Sequence, residues 1–215
     1  MSLPPNVRVT QEDAPLPRVR PVEAQDVEAL LGVFARAFLD DPFVGWVVRG
    51  GAGREQRAYA YFDLMLRRVS LARGGAFTTS DLAGVSAWVP PGAWPPSVGA
   101  QVAMLPQTLS FVGFARLGVV SEGAELMELQ RPREPHWHLA LLGVEPHAQR
   151  RGVGAALLAD GLARADADGL VAHVETSVAG NVPFYERAGF RRTHQLVLPG
   201  DGPTVWTLQR PPRYG

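Results

Sequence analysis

The stretch from Trp137 to Glu175 constrains this chain more than any other. An apolar run from about Trp137 to Val144 reads as a buried strand and stops at Glu145-Pro146. A glycine turn follows, Gln149-Arg150-Arg151-Gly152-Val153-Gly154-Ala155, and opens a helix from about Gly152 to Ala165. A second apolar strand, Leu170 to Glu175, completes a β-α-β unit. At such a turn the unpaired N–H groups of the helix start and the positive end of its dipole face one point, an arrangement that binds a diphosphate. Glycines let the backbone approach phosphate oxygens closely, and Arg150 or Arg151 can add a charge-assisted bond. Gly-x-Gly alone is equally consistent with a plain tight turn carrying surface arginines. A Walker loop is excluded because the chain has no Lys, and a dinucleotide fingerprint fails at Leu157, where it needs a small residue.

Around this unit the pattern predicts one folded domain. Residues 1–18 are polar and Pro-rich and read as a loose arm, with the domain spanning 19–215. Val19-Arg20-Pro21 is a candidate short strand. Val27, Leu30, Leu31, Phe34, Ala35 and Phe38 recur at helical spacing up to Asp40-Asp41-Pro42. A second amphipathic helix is expected from about Arg54 to Arg73, then a hairpin from Ala76-Thr79 and Val85-Val89. Two or three helices are expected between Val98 and Leu129. After Glu175 the pattern predicts a short helix near Val182 to Ala188 and strands around Arg191-Val197 and Thr204-Gln209.

Composition removes several classes of function. The 21 basic residues, all Arg, are matched by 21 acidic ones, so there is no concentrated basic charge for a nucleic acid or an anionic membrane. The absence of Cys excludes disulfides, thiolate metal sites and cysteine nucleophiles. The first residues lack the apolar stretch of a signal peptide, and a cytoplasmic location is expected. His136 and His138 share a strand face, but with no third ligand evident no metal is expected there.

The run His138-Leu139-Ala140-Leu141-Leu142-Gly143-Val144-Glu145-Pro146-His147-Ala148-Gln149-Arg150-Arg151-Gly152-Val153-Gly154 resembles the acetyl-CoA motif of the GNAT acetyltransferases: an apolar strand, V-x-P, then Q/R-x-x-G-x-G/A. Glu175-Thr176-Ser177 and Asn181-Val182-Pro183-Phe184-Tyr185-Glu186-Arg187-Ala188-Gly189-Phe190 are similar to the second signature of that family. Within it the likeness is to the puromycin N-acetyltransferases, over about residues 134–210. The resemblance implies a mixed α/β fold with a central, mostly antiparallel sheet flanked by helices. Its one parallel strand pair would splay to admit a pantetheine arm. It also implies that Leu142, Gly143 and Val144 offer backbone groups to acetyl-CoA, that Gln149, Arg150, Arg151, Gly152, Val153, Gly154 and Ala155 cradle its diphosphate, and that Asn181 reaches the same arm. Many family members carry Asn where Val178 stands, so a side-chain contact from that position is missing here.

Acyl transfer from a thioester to an amine needs a neutral amine, a polarised carbonyl and a proton for the leaving thiolate. With the resemblance counted, Glu175 is the candidate base, directly or through water, Tyr185 the candidate acid, and a backbone N–H at Leu142 to Val144 the carbonyl donor. Asp40, Asp41, Phe43 and Trp46 are candidate walls of an amine pocket or simply a helix terminus with an apolar anchor. Trp88 and Trp94 stand open in the same way. The expected partner is a small-molecule amine. A protein N-terminus or lysine side chain is the competing acceptor, and a non-catalytic acyl-CoA sensor is the alternative outside enzymes.

Overall fold

The computed structural model describes residues 17–213, so most of the expected N-terminal arm lies outside the described residues. One seven-stranded sheet runs through the molecule in the order β1-β2-β3-β4-β5-β7-β6. Its strands are β1 (Val19–Pro21), β2 (Ala76–Thr79), β3 (Gly84–Val89), β4 (His136–Val144), β5 (Val171–Thr176), β6 (Arg191–Val197) and β7 (Thr204–Arg210). Every neighbouring pair is antiparallel except β4 and β5. A parallel pair needs a long crossover, which helix α6 (Val153–Ala167) supplies. This is the mixed, mostly antiparallel sheet that the resemblance implied.

Helices cover both faces. On one face α1 (Val27–Ala37), α3 (Arg54–Asp63), α4 (Val98–Val112) and α5 (Leu117–Glu128) lie beside a core containing Leu30, Phe34, Phe62, Leu66, Phe111 and Leu141. Across the sheet, α6 and α7 (Val182–Arg187) enclose Trp88, Leu139, Leu157, Leu158, Val174 and Leu208. No single helix among the described residues is long and apolar enough to cross a membrane.

The elements differ from the sequence pattern in three places. The chain does not simply leave α1 for a loop: Asp41 Oδ1 accepts from the Val44 N–H at 2.9 Å and Pro42 takes the first turn, so a short α2 (Pro42–Val47) forms. The helix expected from Arg54 to Arg73 becomes π-helical over Leu64–Ser70 and ends in a short 3-10 turn. The middle segment bends by 99° after α4, where Gly113 takes a positive φ of 78°.

One irregularity positions the site. Consecutive β3 residues Ala87 and Trp88 face Leu141 and Leu139, so Ala140 is an extra residue in β4. This β-bulge turns over the alternation of β4: Leu139 joins the core on the α6 side, whereas Leu141, two residues on, joins the core on the α1 side. Pairing of β4 with β5 also ends here, at Leu139 opposite Val174. Beyond it β4 continues to Val144 without a β5 partner.

Trp88 is fully buried against α6, and its indole lies where a side chain at Gly161 would go: an added Cβ would stand 2.2 Å from the ring. Gly161→Ala therefore overpacks this contact in spite of the better helix propensity of Ala, and is expected to lower stability by about 1–3 kcal/mol. The urea midpoint measures this; an unchanged or raised midpoint contradicts the packing.

Candidate active site

The gap left where β4 and β5 part opens into two adjoining spaces. The larger is a groove of ≈ 850 Å³ bordered by β4, the turn before α6, and α7. The smaller is a chamber of ≈ 90 Å³ whose walls include Asp41, Tyr61, Met127, Glu175 and Tyr185. Phe38, Asp41, Leu142, Asn181 and Tyr185 line both, so the two spaces meet at the end of β4.

Of the residues expected to hold acetyl-CoA, the structure brings Leu142, Val144, Gln149, Arg150, Gly152, Gly154, Ala155 and Asn181 to the groove. Three do not line it. Gly143 faces α1, where a Cβ would meet the Phe34 ring at 2.8 Å, and the Val153 side chain is buried in the core beneath α6. Arg151 is exposed outside the groove lining. The Gln149 side-chain amide donates to the Val144 carbonyl at 3.3 Å and closes the strand-to-helix turn.

Left-handed backbone at Arg150 (φ 59°) and Gly152 (φ 85°) sharpens that turn and aims the first residues of α6 at the groove. No side chain caps the helix start, and its first internal bond runs from the Ala156 N–H to the Gly152 carbonyl. The N–H groups of Val153, Gly154 and Ala155 are thus left without intrahelical partners at the positive end of a fifteen-residue helix. Arg150 and Arg187 add charge along the groove wall. This donor set, uncapped amides with arginines beside them, fits a diphosphate, and the unpaired edge of β4 fits an amide-bearing arm.

Glu175 is the penultimate residue of β5, with a side chain 14% exposed. Arg131, from the segment between α5 and β4, grips both its oxygens, Nε to Oε1 at 3.2 Å and Nη2 to Oε2 at 3.4 Å. His138 Nε2 lies 3.5 Å from Oε2 and His173 Nε2 lies 3.3 Å from Oε1. Burial pushes this carboxyl upward, but the Arg131 charge and the two histidines outweigh it and hold Glu175 well below the usual carboxylate range. Burial, helped by the Arg131 charge, lowers His138 to about 3, so it is neutral.

Two further groups that the sequence pattern does not place beside His138 come from β5: ligating atoms of His138, His173 and Glu175 lie within 4.8 Å of one another. His136 stands outside that trio. Arg131 already fills the cation's place on both carboxylate oxygens.

Tyr185, on α7, is buried, and burial together with the Asp41 charge raises its phenol above the ordinary value, so it stays protonated. Asp41 is fixed from two sides. It caps α2, and Ser177, just after β5, donates to its carboxylate at 3.3 Å while accepting from the Phe43 N–H at 3.2 Å. Desolvation raises the Asp41 carboxyl against these bonds. Of the two open tryptophans, Trp88 is core, whereas Trp94 is partly exposed and stacks on Arg131.

Sequence reasoning missed Arg131, His173 and Tyr61. His173 carries a local signal, standing two residues before Glu175 on the same strand face. Arg131 carries none, since it reaches Glu175 across 44 residues of chain.

Residues 93–190 match the family model described as Acetyltransferase (GNAT) family. An uncharacterized N-acetyltransferase of Schizosaccharomyces pombe is 26% identical over 197 residues, covering 86% of this chain and 78% of the relative. Among solved structures, a Corynebacterium glutamicum protein described as histone acetyltransferase HPA2 and related acetyltransferase superposes with a TM-score of 0.71 at 24% identity, covering 93% of this chain and 98% of that one. A Drosophila melanogaster polyamine N-acetyltransferase gives 0.63 at 15% identity, covering 90% and 99%.

Asp41 provides a test of the site's electrostatics. Its carboxyl is raised in the folded state, so the ionised form costs stability at neutral pH, and the cost vanishes as pH falls below the unfolded value of ~3.9. Asp41→Asn keeps an oxygen that can cap α2 and removes the buried charge. It is expected to melt higher than the parent at pH 7, with the two melting temperatures converging toward pH 4; a lower melting point at pH 7 contradicts this.

Proposed function

We propose that this chain, a GNAT-family acetyltransferase, moves an acetyl group from acetyl-CoA to the primary amine of a small molecule while both are bound. The observation that carries this reading is the meeting of Glu175 and Tyr185 in the walls of one small chamber that shares lining residues with the larger groove.

In this reading the groove holds the donor. Leu142 and Val144 offer backbone groups to its arm, and the first turn of α6 with Arg150 takes the diphosphate. Acetyl-CoA supplies the thioester carbonyl where the groove meets the chamber. A backbone N–H at the end of β4 polarises the carbonyl oxygen. The acceptor reaches the chamber as an ammonium. Glu175 takes a proton from it, the amine nitrogen forms the new bond to carbonyl carbon, and the carbon–sulfur bond breaks. Tyr185, kept neutral by burial, gives its proton to the leaving sulfur and regains one that the nitrogen loses. Without a cysteine in the chain, direct attack needs no thioester on the protein.

The anionic walls of the chamber, Asp41 and Glu175, favour a cation over a neutral acceptor. The D. melanogaster relative in fold is a polyamine N-acetyltransferase that forms N-acetylagmatine, which supports an amine acceptor here. The sequence likeness to puromycin N-acetyltransferases supports the same class.

The test is thiol release from acetyl-CoA with puromycin, agmatine, spermidine, phenethylamine and a short peptide. Turnover is expected with a small amine. Tyr185→Phe should lower kcat on the order of 10²–10⁴-fold while the calorimetric affinity for acetyl-CoA holds. Wild-type turnover in that variant removes Tyr185 from the chemistry, and turnover of the peptide alone overturns the small-molecule reading.

A further inference from the structure

A third cavity lies beside the chamber and enters neither the donor groove nor the chemistry above. It is a cleft of ≈ 350 Å³ between the segment after β3 and the segment before β4, with Trp94, Glu128, Arg131, Glu134, His136 and His138 in its walls. Side chains stand between it and the chamber. Arg131 and His138 line the cleft, Glu175 lines the chamber, and the contacts of the first two with Glu175 form the partition.

The chamber is too small for a whole acceptor. At ≈ 90 Å³ it falls short of the ~150 Å³ apolar cavity that accommodates benzene, so it admits an aminomethyl end and little more. With the groove given to the donor, the rest of an acceptor needs a separate space of ligand size, and the cleft falls in that range.

Arg131 is held on both sides of the partition, and more closely on the outside. Its inner bonds to Glu175 are 3.2 and 3.4 Å, long for charge-assisted pairs. Outside, Nη1 meets Glu128 Oε2 at 2.8 Å and the guanidinium lies 5.0 Å from the centre of the Trp94 ring. The Trp94 indole N–H donates to the same Glu128 oxygen at 2.7 Å, which fixes the outer pair. A guanidinium so placed can let go of Glu175 and keep its cation-π and carboxylate contacts. Glu175, being buried, then needs another cation, because His138 is neutral. An ammonium supplies one.

We propose that the Trp94 cleft docks the body of a cationic acceptor, whose ammonium reaches Glu175 by displacing the Arg131 guanidinium outward onto Trp94 and Glu128. The ligand class is a primary ammonium on a short unbranched arm carrying an apolar or aromatic body that rests against the cleft wall. With the guanidinium moved aside, no cation faces Glu175 once the ammonium has given up its proton, so the carboxylate holds that proton more strongly than it would beside Arg131. The groups that remain around it are His138 and His173 in the sheet, with Asp41, Tyr61 and Tyr185 across the chamber.

The inference rests on the reading of Glu175 as the base, and kinetics with the same five acceptors separates the two. In Arg131→Ala the competing internal cation is gone: acceptor KM is expected to fall several-fold. The acid limb of kcat/KM should move to higher pH, because free Glu175 is no longer held down. The acid limb of kcat should stay with the parent, whose bound state has already moved Arg131 aside. Glu128→Gln, a partly exposed change that spares the core, weakens the outer anchor and should raise acceptor KM several-fold. A lower kcat with unmoved KM in Arg131→Ala, both acid limbs shifting together, makes Arg131 a fixed support and overturns the exchange. An unmoved KM in Glu128→Gln overturns it too, and decides alone if Arg131→Ala does not fold. Parent-level turnover in Glu175→Gln instead sinks the reading of the base itself.

Discussion

Two parallel strands that stop pairing organise this molecule. The bulge at Ala140 ends the β4–β5 ladder at Leu139 and Val174, and what lies beyond that point depends on the divergence. Because a parallel pair needs a crossover, the helix that supplies it, α6, starts beside the gap, and its uncapped first turn faces the groove. The same divergence places the end of β5 against an open space, so Glu175 and Ser177 look into a chamber where continuous pairing would have left a closed sheet. Ser177 in turn ties down Asp41 and the start of α2, joining the N-terminal helices to the C-terminal half of the sheet.

The second constraint is electrostatic. A carboxylate buried in the sheet is tolerable only with a cation beside it, and Arg131 meets that need from an irregular segment between α5 and β4. With Arg131 in contact, Glu175 is ionised but weakly basic; in the proposed exchange it becomes a stronger base once the guanidinium has moved aside and the acceptor ammonium has given up its proton. Tyr185 and His138 are governed by the opposite effect. Burial keeps the phenol protonated, and burial with the Arg131 charge keeps the imidazole neutral even beside Glu175, so desolvation dominates their charge states and ion pairing that of Glu175.

The local part of this arrangement is legible in the sequence. Strand β4, the glycine turn, α6, β5 and α7 follow from apolar periodicity and glycine placement, whereas Glu175 and Tyr185 stand out as candidate base and acid only through the resemblance to the family signatures around them. The bulge was not readable, since Ala140 sits in an unbroken apolar run and shows itself only through its pairing with Ala87 and Trp88. Arg131 was invisible for a related reason: a long-range ion pair leaves no periodic trace in the chain. Val153 belongs to a recognisable turn, yet its side chain is buried in the core while its backbone N–H is left without an intrahelical partner. Short α2 escaped because Asp-Pro reads as a helix stop and here begins a new helix.

In the proposed complex acetyl-CoA lies along the unpaired edge of β4 with its diphosphate on the first turn of α6. Amide hydrogen exchange with and without acetyl-CoA tests it directly. Slowed exchange at Leu142 to Val144 and at Gly152 to Ala155, with little change along β1 to β3, is the predicted result. Exchange unaffected at both segments under saturating acetyl-CoA, or protection confined to the Trp94 cleft, would contradict it.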